Sequence, residues 1–451
     1  MMSSATELLH RTATRKAMVR LVPILCLAYF MSYVDRTNIA LAKTHLQADV
    51  GISAAAFGLG AGLFFLTYAF LEVPSNLVMY RVGPRRWIAR IAFTWGTVTA
   101  LMMFVTNDIT FYIGRIALGA AEAGLYPAMM FMVTQWFAQQ DRARAIGYIY
   151  LAATLGIFLG APMGGALMEL DDLAGMHGWQ WMFLVEGLLT IVVACVVLAV
   201  LPEKPSDAAW LSAAEARELT GRAVLDGEPE HHSLRGNWKT AFGRSFILLI
   251  GAIYFLNQIT INGVTFNVPS IIEAMDIEGS FLIGLLSGIT GVGGTIGVLL
   301  MPRLIKRFTN ESYVIGVLAL GCAIIASVFL MVPSPLVRIV LIGLLAVLML
   351  GTLPLFWSVA MARMSGLMAA AGLAFINTVG LTGGFVGPYV FGLVESRSGT
   401  PVTGFYVVIA VSIAGALLAL ALYRAVQRED ARAQRANTTA QQDDSQKEAI
   451  G

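Results

Sequence analysis

The sequence predicts an all-α membrane protein with twelve transmembrane helices, arranged as two pseudo-symmetric six-helix bundles. Composition is the first reason. Of 451 residues, 57% are hydrophobic and only 13% charged, and the mean hydropathy is +0.73. A soluble chain carries roughly 25% charged residues, so this one lacks the polar surface that water requires. Its 45 glycines suit helices that pack closely in lipid. The other two reasons are a count of apolar runs and an echo between the halves.

A helix crosses the bilayer with about 20 largely apolar residues. Such runs lie at 20–42, 54–80, 87–106, 110–137, 144–169, 179–201, 242–272, 279–302, 313–332, 335–361, 366–394 and 402–425. Ahead of them, residues 1–19 form a short cytoplasmic segment. It does not read as a cleaved signal, because the first apolar run continues through Asp35 and Arg36 with no small-residue cleavage site. The first six runs form a bundle over 20–201 and the last six a bundle over 242–425. The long polar connection between them, 202–241, is mixed in charge and carries a short helical pattern, WLSAAEARELTGR. The polar tail, 426–451, is expected to be disordered.

Orientation follows from the basic residues. Of thirty Lys and Arg, the odd-numbered connections hold only Lys43, Arg338 and Arg397, and Arg36 and Arg115 lie within spans. The other twenty-five sit at the termini, in the even-numbered connections and at the span ends beside them. That asymmetry places both termini and the 202–241 linker on the cytoplasmic side of the cell inner membrane.

The halves repeat one another. Basic turns follow the second run (RVGPRR, 81–86) and the eighth (PRLIKR, 302–307), and glycine-rich segments occupy the fifth (GIFLGAPMGG, 156–165) and the eleventh (GGFVGPYVFG, 383–392). The offsets, 221 and 227 residues, fit two six-helix repeats joined by the linker. Many secondary transporters are built this way, with the site near mid-membrane between the halves.

Other function classes drop out. No GxxxxGK[ST] loop occurs, so ATP-driven transport is not expected. Basic residues are dispersed among short loops, so no nucleic-acid partner is expected. Cys26, Cys195 and Cys322 lie in apolar runs without metal-type spacing and read as reduced packing residues. No metal or cofactor is expected, and the loops offer no nucleophile–base pair for an enzyme.

Charges inside the spans point to function. At 1.5 Å per residue, Asp35 and Arg36 sit about 22–24 Å above the start of the first span, and Arg115 about 6 Å below the far edge of the fourth. Those depths nearly coincide. Glu122 lies seven residues on from Arg115, on the same helical face and about 10 Å deeper. An ionised group at such depth costs at least about 2.5–3.5 kcal/mol and tends to mark a substrate or proton path. The economical pairing joins Asp35 to Arg115, and Arg36, about 100° around its helix, stays free for an external anion. Its planar donors match a carboxylate in two-pronged fashion. Glu122, within AAEAGLYPA, occupies a setting suited to a carboxyl that loads and releases a proton. The competing reading is a permanent internal network of all four charges.

Further polar residues are candidates. Glu72 in LEVPSN suits packing or gating, and Glu186 lies in the sixth span. The seventh span, YFLNQITINGVTFNVP, carries Asn257, Gln258, Asn262 and Asn267, some of which should face a cavity, with Gly263 permitting a bend. Trp357 and Asn377 are a candidate aromatic and a candidate amide from the second half. The two glycine-rich segments let helices approach closely.

These residues resemble the major facilitator superfamily, and more narrowly its anion:cation symporters, which include bacterial permeases for sugar acids, tartrate and aromatic acids. The resemblance rests on YVDRTNIALA (33–42), EVPSNL and RVGPRRWIAR (72–90), GRIALGAAEAGLYPAMM (114–130), WFAQQDRARA (136–145), HGWQWMFLVEGL (177–188) and AAAGLAFINTVGLTGGFVGPY (369–389). It implies the major facilitator fold, with Arg36 binding a substrate carboxylate and Asp35 and Glu122 as protonation sites. It also implies that Arg115 partners the first-span acid, and that Tyr68 and Asn377 donate substrate hydrogen bonds. Two departures stand out. Tyr80 precedes Arg81 where an acid is usual, and Asn262 and Asn267 stand where many relatives have an aromatic residue and a tryptophan.

The expectation is a proton-coupled importer of a small organic carboxylate, working by alternating access as a monomer in the bilayer, with the proton as its coupling ion. An organic-anion exchanger or a drug:proton antiporter is the nearest alternative, and the fifth-span glycine–proline element leans toward it. A non-transporting sensor is the alternative of another class, but linker and tail leave little room for a signalling domain.

Overall fold

The computed structural model describes residues 4–225, 245–305, 311–361 and 366–450, and every regular element among them is helical. A first helix, α1 (Ser4–Arg20), precedes the bundle. The first half is α2 (Val22–Leu41), α3 (Ala54–Val82), α4 (Pro84–Leu101), α5 (Asp108–Glu122) continued by α6 (Leu125–Trp136), α7 (Gln139–Met168) and α8 (Gly178–Val200). The linker contributes α9 (Ala213–Leu225), where the pattern in WLSAAEARELTGR placed a helix. The second half is α10 (Ser245–Thr265) with α11 (Val268–Glu273), α12 (Ser280–Ser287) with α13 (Ile289–Ile305), α14 (Glu311–Met331), α15 (Pro335–Gly351) with α16 (Leu353–Met361), α17 (Gly366–Ser398) and α18 (Gly404–Ile450).

Eleven helical stretches among the described residues are long and apolar enough to cross a membrane. The remaining expected span, 366–394, corresponds to the 33-residue α17. Large apolar side chains such as Phe70, Val73 and Leu77 on α3 and Leu336 on α15 point outward, as a lipid-facing surface requires.

Helix pairing displays the internal symmetry. Within the first half, α2 packs on α7, α4 on α8 and α3 on α5; within the second, α10 packs on α17, α14 on α18 and α13 on α15. Moving each first-half span forward by six spans reproduces the second-half set. Among the described residues the two largest contacts between the halves are α3 with α17 and α7 with α12 and α13, which the same operation exchanges, and α2 with α11 adds a smaller one. The glycine-rich segments make these approaches possible. A methyl group at Gly156 would lie 2.7 Å from the Phe30 carbonyl oxygen, and one at Gly160 would lie 3.0 Å from the Val34 Cα, so α7 lies against α2 backbone to backbone. Gly165 and Gly284 do the same across the halves, against Ser280 and Ala161.

One expectation, the disordered tail, is corrected, and two features add to the expected spans. Four spans are broken into two helices each. In the fourth, Gly124 adopts φ +92°, where a Cβ would lie 2.2 Å from the Ser75 hydroxyl. Ser75 donates to the Ala123 carbonyl at 2.7 Å and so satisfies the group that the break exposes. The polar tail is not irregular: α18 continues to Ile450, because Ala, Arg, Gln and Glu are good helix formers and no glycine or proline interrupts them. The N-terminal segment is likewise helical, clasped to α9 by Lys16–Glu215 and Arg222–Glu7 ion pairs. The linker beyond Leu225, and Lys306 and Arg307 of the second basic turn, lie outside the described residues.

Candidate substrate and proton site

A hollow of about 2770 Å³ separates the halves. It extends from mid-bundle to the end where α9 and the start of the linker lie, and is lined there by Asp207 and Arg217. At the opposite end the halves close on one another. One continuous apolar core there includes both first-half residues and Val264, Phe266 and Ile271 of the second half, whereas Phe246, Ile250 and Leu422 belong to a separate core at the open end.

Eight of the sequence candidates line this hollow: Arg36, Tyr68, Glu72 and Glu122 from the first half, and Gln258, Asn262, Trp357 and Asn377 from the second. Asp35 and Arg115 do not; both are buried behind the wall.

The pairing of the charges differs from expectation. Arg36 is not free: its Nη2 donates to Glu122 Oε1 at 2.6 Å, and the Ser32 hydroxyl donates to the same oxygen at 2.6 Å. Asp35 does not contact Arg115. It accepts a hydrogen bond from the Thr99 hydroxyl at 2.7 Å, while Arg115 Nε donates to the Gly60 carbonyl at 3.4 Å and its guanidinium lies over the Phe64 ring. Depth and helical face brought the four groups together correctly. They could not foresee that α5 stops at Glu122, so that this side chain leaves the helix end within reach of Arg36.

The Arg36–Glu122 pair is incomplete. Arg36 Nε and Glu122 Oε2 are buried without a partner among the described residues, so the guanidinium uses one prong where a carboxylate can fill two. The rings of Tyr33, Phe64 and Tyr68 surround it with centroids 5.2–5.7 Å from Cζ. Their π-faces hold the cation in place and leave the cavity side approachable.

Aromatic residues form much of the remaining wall. Tyr29 meets Tyr33 edge-on at 5.1 Å, and the Tyr126 and Tyr150 hydroxyls are 2.9 Å apart. From the second half, Tyr254 meets Trp357 edge-on at 5.5 Å. Sequence reasoning missed these tyrosines, although Tyr29, Tyr33 and Arg36 follow the i, i+4, i+7 spacing of one helical face. Asn262 Nδ2 donates to the Gln258 carbonyl of its own helix. Asn257 turns away to donate to the Met349 carbonyl, and Asn267 lies at the closed end. Glu186 is buried, with no partner for either carboxyl oxygen among the described residues. Cys322 is buried, Cys195 faces outward, and neither Cys26 nor these two forms a disulfide. Among the described residues no cluster of metal-type ligands occurs.

Comparison with known proteins agrees with this architecture. Residues 25–388 match the Major Facilitator Superfamily. A quinolone resistance transporter of Acinetobacter baumannii is 33% identical over 422 residues, covering 93% of this chain and 97% of the relative. A protein of Agrobacterium vitis provisionally named a tartrate transporter is 34% identical over 430 residues, covering 93% of each chain. Among solved structures, a bacterial homologue of the human lysosomal transporter Spinster, inward-facing and unoccupied, superposes with a TM-score of 0.72 at 17% identity, covering 91% of this chain and 96% of that one.

Proposed function

This chain belongs to the major facilitator superfamily, and from that premise we propose that it is a proton-coupled secondary transporter importing a small organic carboxylate by alternating access. The observation that carries the reading is Arg36: a guanidinium on the cavity wall, held by one bond to an acid that can be neutralised. By the Lys/Arg asymmetry, the open end with α9 faces the cytoplasm of a cell inner membrane.

The cycle follows from the pairing. Protons entering from outside load Glu122 and Asp35. A neutral Glu122 no longer competes for Arg36, and the ligand carboxylate takes both prongs of the guanidinium. Tyr68, Asn377, Asn262 and Trp357 surround the rest of the ligand. With the acids neutral, the loaded site has less unpaired charge to desolvate and the halves can rock. Loss of the protons to the cytoplasm restores the Glu122 claim on Arg36 and expels the ligand. Arg115, near both acids, holds the field that makes their protonation reversible.

Uptake of a panel of carboxylates into proteoliposomes under an inward proton gradient tests this. Arg36→Lys keeps the charge but loses the fork, and apparent affinity should fall at least about tenfold. Unchanged affinity would overturn the carboxylate clamp.

A second reading is favoured by the quinolone resistance relative and by the aromatic walls: export of an aromatic drug against protons. Direction separates the two. An importer accumulates its ligand down an inward proton gradient, whereas an antiporter expels it.

A further inference from the structure

Lys43 stands at the closed end, directly after α2, and is 1% exposed. Among the described residues, all of its side-chain hydrogen-bond partners come from the other half. Its ammonium donates to Asn267 Oδ1 at 2.5 Å and to the Ser270 hydroxyl at 3.3 Å, and forms an ion pair with Glu395 near the end of α17. Three donors meet three acceptors, and the Phe57 ring lies 5.9 Å away. The acceptors are themselves fixed: Asn267 donates to the Gly263 carbonyl at 2.7 Å, and Ser270 donates to the Asn267 carbonyl at 3.0 Å. The proposed transport site does not use this cluster.

The neighbouring contacts also cross between the halves. The Ala55 amide donates to the Ser396 hydroxyl at 2.9 Å. Cβ atoms at Gly58 and Gly392 would lie 2.3 Å from the carbonyl oxygens of Pro388 and Ala54, so α3 and α17 meet backbone to backbone. Separating the halves at this end would part Lys43 from Asn267, Ser270 and Glu395.

We propose that Lys43, clasped by Asn267, Ser270 and Glu395, is the latch that holds this end of the path shut and sets how often it opens. The chemistry suits a reversible device. Closed, each charge is satisfied by the other half; opened, both are wetted, and the hydration they recover offsets the lost attraction. Removing one partner leaves the other charge buried and unmatched only in the closed state, so either single neutralisation favours opening. The inference rests on alternating access but on no particular substrate.

The test places spin labels at Ala48→Cys and Arg397→Cys, both exposed positions flanking this end on opposite halves, in ligand-free full-length protein in nanodiscs, with the native cysteines replaced by serine. Lys43→Met and Glu395→Gln should each raise the long-distance population at least about tenfold. The reversed pair, Lys43→Glu with Glu395→Lys, should bring it back toward the parent value. Glu395→Gln is nearly isosteric and keeps an acceptor for Lys43, so it reports even where Lys43→Met does not fold. A distance distribution unmoved by a folded single variant, or a reversed pair as open as the singles, overturns the latch. Failure to transport carboxylates would overturn the functional reading and leave this measurement intact.

Discussion

Glu122 occupies the end of a broken helix, and that position decides what it can reach. One of its oxygens receives both Ser32 and Arg36 at 2.6 Å. Glu122→Gln keeps a carbonyl acceptor for both donors but cannot exchange a proton. Such a variant should lose uphill accumulation under a proton gradient, by about two orders of magnitude if the acid contributes as a typical proton-transfer group, and keep ligand counterflow. Concentrative uptake at the parent level would remove Glu122 from the coupling scheme. That the four intramembrane charges converge was legible, because depth along an α-helix is a fixed rise per residue. Which acid would pair with Arg36 was not. The answer depended on the break at Gly124, which a single sequence shows only as a glycine in a glycine-rich helix, and on Thr99, a hydroxyl from a third helix that satisfies Asp35. Asn267 shows the same limit: some of the four seventh-span amides were expected to face a cavity, Gln258 and Asn262 do, and which of them would instead accept from Lys43 was not legible.

The helices themselves were easier to foresee, since twelve apolar runs, a linker helix and two glycine-rich seams follow from composition and spacing alone. Apart from the bend expected near Gly263 in the seventh span, breaks within spans were not legible, because tertiary partners such as Ser75 stabilise them. The seams make a contrast that can be measured. Gly160 faces the α2 backbone, so Gly160→Leu should cost about 1–3 kcal/mol by overpacking and lower the thermal midpoint in detergent. A methyl group at Gly147, on the same helix, would meet nothing within 4 Å, so Gly147→Ala should leave the midpoint unchanged or raise it slightly. Equal effects would show that the seam is not tight. The clasp between α1 and α9 titrates. Hydrogen bonds from Lys16 and from the Ser212 amide hold the Glu215 carboxyl below its usual 4.5. A folded value lower than the unfolded one contributes stability that is full above about pH 4.5 and is lost as pH falls through the lowered value. The pair is near the surface, so its worth is about 1 kcal/mol or less. Protection factors of the α1 amides, corrected for the intrinsic exchange rate at each pH, should therefore fall in that acid window, and Glu215→Gln should show the same lower protection at neutral pH. Exchange that ignores both changes would mean the apolar contacts hold α1 unaided.

The whole molecule imposes a condition that no single helix can: charge must balance around a complete cycle. With the cavity open at one end and the Lys43 cluster closing the other, each turnover carries across the membrane only what the central site holds. If Glu122 and Asp35 each take a proton and the ligand is a monoanion, the loaded site moves one net positive charge inward, because two protons exceed one carboxylate. A membrane potential then acts on the loaded carrier, contributing about 2.3 kcal/mol per charge per 100 mV. Asp35 lies behind the cavity wall, hydrogen-bonded to Thr99, whereas Glu122 borders the cavity directly. Loading the two acids should therefore be separable: Asp35→Asn leaves the Arg36–Glu122 exchange in place and removes one proton from the count. Proteoliposomes on a solid support should show an inward positive current when a monoanionic ligand is added, and Asp35→Asn should abolish that current while ligand uptake persists at a lower gradient. A parent protein that is electroneutral with a monoanion would exclude the two-proton scheme and leave Glu122 as the single coupling acid.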